Sequence, residues 1–185
     1  PLTGWISAFF IKLFGDLTGD VQAYRAASIF WFALSTAGIW YGTLWLAKRP
    51  EAQPVAFAFG GEASPGSYSR VVADCAVLLF VATFGIVTRQ HEAIPETALL
   101  ALTSVTYLFL VQTLRRPNLG AFLCGFSTGL AVLASTLFAG IWLLAGAILA
   151  NASLRSFPGS RDRRILLLVA GSLIPPALWL VSAAI

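Results

Sequence analysis

Charge is what this chain has least of. Aspartate and glutamate together number 8 in 185 residues, lysine and arginine 12, and charged residues make up 11%, against about 25% in an average soluble domain. Histidine occurs once, cysteine twice and methionine nowhere. So little charge beside so much apolar sequence excludes disorder and argues against a water-soluble fold. Two cysteines exclude a disulfide scaffold, and one histidine with two cysteines makes no zinc set. There is no Walker loop, no GxGxxG run and no Ser-His-Asp arrangement. The missing methionine, the start at Pro1 and the lack of a basic leader with a cleavable apolar core read as a segment cropped from a longer protein.

What is present is apolar and comes in blocks. Apolar residues make up 58%, with 6 Trp and 14 Phe. The runs 26–47, 71–88, 97–114 and 165–185 hold 22, 18, 18 and 21 residues with one charge, Asp74, among them. The run 117–154 holds 38 residues and no charge at all. A bilayer core needs about 20 apolar residues per helical crossing. As one helix, 117–154 would reach about 57 Å, nearly twice a ~30 Å core. Two crossings meeting at Ser135-Thr136 fit instead, with one kinked and tilted helix as the alternative. The expected fold is therefore all-α: a polytopic transmembrane helical bundle of about six crossings, at 26–47, 71–88, 97–114, 119–134, 136–153 and 165–185, forming one domain.

The basic residues favour the two-crossing reading. It puts 48–70, 115–116 and 155–164 on one side, collecting Lys48, Arg49, Arg70, Arg115, Arg116, Arg155, Arg161, Arg163 and Arg164. Lys12, Arg25 and Arg89 fall on the other. The positive-inside rule makes the first side cytoplasmic. The net charge of +4 is then an orientation signal, and no basic face interleaved with stacking aromatics suggests nucleic acid. On the outer side, residues 1–25 carry Leu2, Trp5, Phe9, Leu13 and Phe14 near helical spacing, which predicts an amphipathic helix lying in the interface. Loop 50–70, rich in Gly, Pro and Ala, reads as a connector.

The most polar patch is the outer loop 89–96, with Arg89, His91, Glu92 and Glu96 in eight residues. Pro95 suits a first-turn position, so Glu96 opens the next helix, where the helix dipole favours a carboxylate by roughly 0.3–1 kcal/mol. A wet loop and ordinary capping would explain the same residues. Asp74 reads as a residue near a helix end that snorkels to the inner interface. Gly38-x-x-x-Gly42 and Gly125-x-x-x-Gly129 suit close helix packing, Pro175-Pro176 predicts a kink, and Asn151-Ala-Ser153 is a glycosylation sequon on the wrong side.

Several short motifs recur in a familiar order. Pro1-Leu2-x-x-Trp5, Ile11-Lys12-Leu13-Phe14-Gly15 and Tyr24-Arg25-Ala26-Ala27-Ser28 are followed by His91-x-x-x-Pro95-Glu96, Leu114-Arg115-Arg116-Pro117 and Gly129-Leu130-Ala131-x-Leu133. Together they resemble the bacterial polyprenyl-phosphate-dependent glycosyltransferases of the GT-C superfamily, which include aminoarabinose transferases and protein O-mannosyltransferases. The resemblance covers nearly the whole chain. It implies a GT-C-like membrane domain in the bacterial inner (plasma) membrane, taking a sugar from a polyprenyl-phosphate carrier to an acceptor at the outer, periplasmic face. Membrane lipids and that lipid-linked donor are the implied partners.

In this resemblance Glu96 is the catalytic carboxylate, His91 and Glu92 contact sugar or acceptor, and Arg89 meets the donor phosphate. No cofactor is implied by the segment, and a divalent metal stays open for a longer enzyme. Two departures count against full activity. The family's main catalytic aspartate lies upstream of Pro1, and its Thr-Lys-Gly is replaced by Ala134-Ser135-Thr136, so the segment alone is expected to be inactive. A transporter or channel subunit, and a non-catalytic assembly subunit, are the alternatives.

Overall fold

The computed structural model describes residues 1–55, 58–83, 85, 94–154 and 156–183. Among these are α1 (Leu2–Thr18), α2 (Asp20–Ala47), α3 (Pro65–Ala82), α4 (Pro95–Thr113), α5 (Pro117–Ala134), α6 (Leu137–Ser153) and α7 (Arg161–Ala183), with a single 3-10 turn at Pro50–Ala52 and no strand. Five of them, α2, α3, α4, α5 and α7, are long and apolar enough to cross a membrane. At 17 residues, α6 would reach about 26 Å. The protein is a multi-pass helical membrane protein.

Helix starts differ from the apolar blocks in two places. Residues 1–25 are not one segment: Gly19, at φ 84°, separates α1 from α2, and α2 begins at Asp20, six residues before the apolar run. The Phe10 and Phe30 rings lie 6.0 Å apart, and Leu2 and Ile6 pack on the cluster containing Trp31. α1 therefore folds back along the first half of α2 as a helical hairpin. α3 begins at Pro65, not Val71, because Ser64 caps it, accepting a hydrogen bond from the Ser67 N–H at 3.2 Å, and proline suits the first turn.

Between α5 and α6 the helix does end. Ser135 leaves helical geometry at φ −129°, ψ −103°, and the Thr136 hydroxyl caps α6 by accepting from the Ala139 N–H at 3.2 Å. By contrast α7 runs unbroken through Pro175 and Pro176. Those prolines lack the N–H that would bond the Gly171 and Ser172 carbonyls. The freed Ser172 carbonyl faces Gly129, where a Cβ would collide with it.

α5 is the centre of the bundle, packed by α4, α6 and α7. Small residues make this possible. A Cβ at Gly125 would press into the Leu168 peptide group, and one at Gly171 into the Phe122 carbonyl. On the α2–α4 contact, a Cβ at Gly38 would lie 2.8 Å from the Ser104 backbone. Directed bonds add to packing where no water competes: Thr106 and Ser127 hydroxyls meet at 2.7 Å between α4 and α5, and the Cys124 thiol points at the Thr106 carbonyl at 3.8 Å.

The bundle has two distinct ends. At one, Trp31, Ala98 and Ala134 cluster. At the other, Arg49 and Glu51 after α2, Leu114 after α4, and Leu154 and Phe157 after α6 line one shared cavity. The three arginine-bearing connectors thus share one end, and α6 runs from one end of the bundle to the other.

Candidate functional site

Of the four residues singled out in the outer loop, Arg89, His91 and Glu92 lie outside the described residues. Glu96 lies in the first turn of α4 behind Pro95, with its side chain exposed. The turn is built locally: Thr97, buried, donates its hydroxyl to the Ile94 carbonyl at 2.8 Å, and Ala98 beside it is fully buried against the Trp31 cluster. Burial of Thr97 and Ala98 leaves Glu96 on the open side of the helix. The same cluster receives the start of α1 through Leu2 and Ile6, so the α1–α2 hairpin stands beside the α4 N-terminus. α4 spans 19 residues, which places Glu96 about 27 Å from the arginine end. A carboxylate so held can accept a proton or a hydrogen bond from a group above the bundle. Among the described residues no group of three His, Cys, Asp or Glu side chains could hold a metal ion.

The arginine end is the more built of the two. Arg49 bonds Glu51 through Nε at 3.1 Å and through its terminal nitrogen at 3.2 Å, and this guanidinium holds the Glu51 carboxyl below the usual carboxylate range. Arg115 lies over the Trp45 ring, 5.4 Å from its centroid. Arg164 was not legible as special, yet it is only 3% exposed. Its guanidinium donates to the carbonyls of Pro158 and Gly159 at 2.8 Å, of Asn151 at 3.3 Å and of Phe157 at 3.4 Å, and stands over the Phe157 ring. It ties the end of α6 to the start of α7. The available signal was spacing: Arg161, Arg164, Leu168, Gly171 and Pro175 fall on one helical face, and all but Arg161 are buried.

Asp74 is the one acid inside an apolar run, and its helix context changes the expectation. Because α3 starts at Pro65, Asp74 sits mid-helix. It does not reach out alone: Trp40 of α2 donates its indole N–H to the carboxylate at 2.7 Å. Asn151, the sequon asparagine, is buried, and its amide nitrogen, the atom a glycan would join, donates to the Ala147 carbonyl at 3.0 Å. Comparison with protein-family models, with curated proteins and with solved structures gives no match for this chain.

Proposed function

We propose that the chain is the central membrane part of a glycosyltransferase that takes a sugar from a polyprenyl-phosphate carrier. The resemblance in motif order motivates the reading. The observation that carries it is the exposed Glu96 carboxylate opening α4 at the bundle end opposite the arginines. With the arginine end cytoplasmic, as positive residues prefer, Glu96 faces the periplasm of a bacterial inner membrane. There it acts as general base on an acceptor hydroxyl while Arg89 meets the donor phosphate and His91 and Glu92 contact sugar or acceptor. The donor's apolar tail lies among the lipid-facing helices.

The test is glycosyl transfer by the full-length protein carrying Glu96→Gln, with its folding checked by thermal unfolding. We expect turnover to fall about 10²-fold or more, the usual worth of a positioned base. Unchanged turnover removes Glu96 from the chemistry.

One observation favours a second reading, a transporter: the Asp74 carboxylate within an apolar helix, since intramembrane acids often mark ion pathways. Uptake lost on Asp74→Asn while Glu96→Gln is neutral would select it.

A further inference from the structure

Where α6 ends and α7 begins, Asn151, Ser153, Leu154, Phe157, Arg161 and Arg164 help to line a cavity of about 510 Å³. No described carboxylate lines it; Asp162, the nearest acid in sequence, projects from α7 about 100° away from Arg161. Among the described residues Arg164 is a buried cation bonded only to carbonyl groups, with no acid partner. Its Nε–H and the Asn151 Oδ1 are both buried and without a hydrogen-bond partner. A buried charge left without a counter-charge is costly, so the site favours an anion. The helix dipole at the start of α7 favours one too.

We propose that this cavity is a docking site for the phosphate headgroup of an anionic phospholipid. The phosphate oxygens accept from Arg161 and Arg164, and the Ser153 hydroxyl donates to a third oxygen. The unpaired Asn151 Oδ1 asks for a donor, which a phosphoglycerol headgroup supplies and a choline headgroup does not. Two features point to lipid over free phosphate. The cavity lies at the end of membrane-crossing helices, at headgroup level. Leu154 on its rim is 52% exposed, so an acyl chain finds an apolar side chain beside the charge. Anionic leaflets attract such sites with about 1 kcal/mol per Lys or Arg near the surface. The inference stands apart from the glycosyltransferase reading, since it needs only the membrane embedding and the arginine end.

The experiment measures lipid affinity of the purified full-length protein in detergent, by native mass spectrometry, with phosphatidylglycerol, phosphatidylcholine and inorganic phosphate as probes. Arg161 is exposed, so Arg161→Gln should fold; Arg163→Gln, equal in charge lost but on the far face of α7, is the control. Thermal unfolding checks both. We expect phosphatidylglycerol to bind more tightly than phosphatidylcholine, Arg161→Gln to weaken it about fivefold, and Arg163→Gln to change it less than twofold. Equal weakening by both variants would show diffuse attraction and overturn the site. Phosphate that displaces phosphatidylglycerol at low millimolar concentration would overturn the lipid assignment.

Discussion

α5 and α3 cross the same membrane and are held in opposite ways. Within its most apolar window α5 is 56% buried inside the protein, whereas α3 is 11% buried. α5 shows its neighbours glycine, alanine, serine and threonine, with Gly120, Ala121, Cys124, Gly125, Thr128 and Ala131 all buried. α3 buries only Ser69 and Ala73, and turns Val71, Leu78 and Leu79 outward. In lipid, large apolar side chains gain nothing by leaving hydrocarbon for a protein neighbour. What binds a membrane helix is close backbone approach and directed hydrogen bonds, so α5 is the keystone and α3 the element most easily parted from the rest.

The strongest way to break that contrast is to remove the close approach. Gly125→Leu places a side chain where the Leu168 peptide group lies. We expect a loss of about 3 kcal/mol or more, at the upper end for overpacking, because backbone rather than a flexible side chain must yield. Thermal unfolding in detergent would read it. A matched substitution on the outward face of α3, Leu79→Ala, should leave the midpoint nearly unchanged; equal losses at both positions would erase the distinction between the helices.

The packing contrast was partly legible and partly not, for a physical reason. The glycine pairs 38/42 and 125/129 announce close contacts because spacing by four puts both on one face, and both are used. The α5–α6 break was legible from length together with the distribution of the basic residues. Helix starts were not: hydropathy marks what lipid can cover, while the hydrogen-bonded helix continues into Asp20–Arg25 and Pro65–Arg70 wherever a cap or proline permits. Arg164 was hidden because an arginine near a membrane surface ordinarily snorkels outward, and its burial depends on carbonyls brought together by the α6–α7 loop. Of the outer-loop site, the sequence places Glu96 in the first turn of α4, where it is found; the other three residues lie outside the described residues.

A middle-sized effect should come from the directed bond that, among the described residues, holds α3 to α2. Trp40→Phe keeps most of the ring and removes the N–H that meets Asp74 at 2.7 Å. Losing a hydrogen bond to a carboxylate in this setting should cost about 1–2 kcal/mol. Hydrogen exchange localises it: amides of α3 should exchange several-fold faster while those of α5 do not. If α3 protection stays as it was, some other contact anchors that helix.

The smallest effect belongs to the connector between α2 and α3, pinned by the Arg49–Glu51 pair. The Glu51 carboxyl is held below its ordinary range chiefly by the hydrogen bond from Arg49. A carboxyl with a lowered folded-state pKa contributes above its unfolded value, and the contribution is lost as pH falls through the folded one. The pair is exposed and screened, so its share is slight. Wild type should unfold at a marginally higher temperature than Glu51→Gln at neutral pH, and the two should converge below about pH 4. Salt should narrow the gap at neutral pH as well. A large, salt-resistant difference would mean that the connector, and not the Trp40–Asp74 bond, decides where α3 sits.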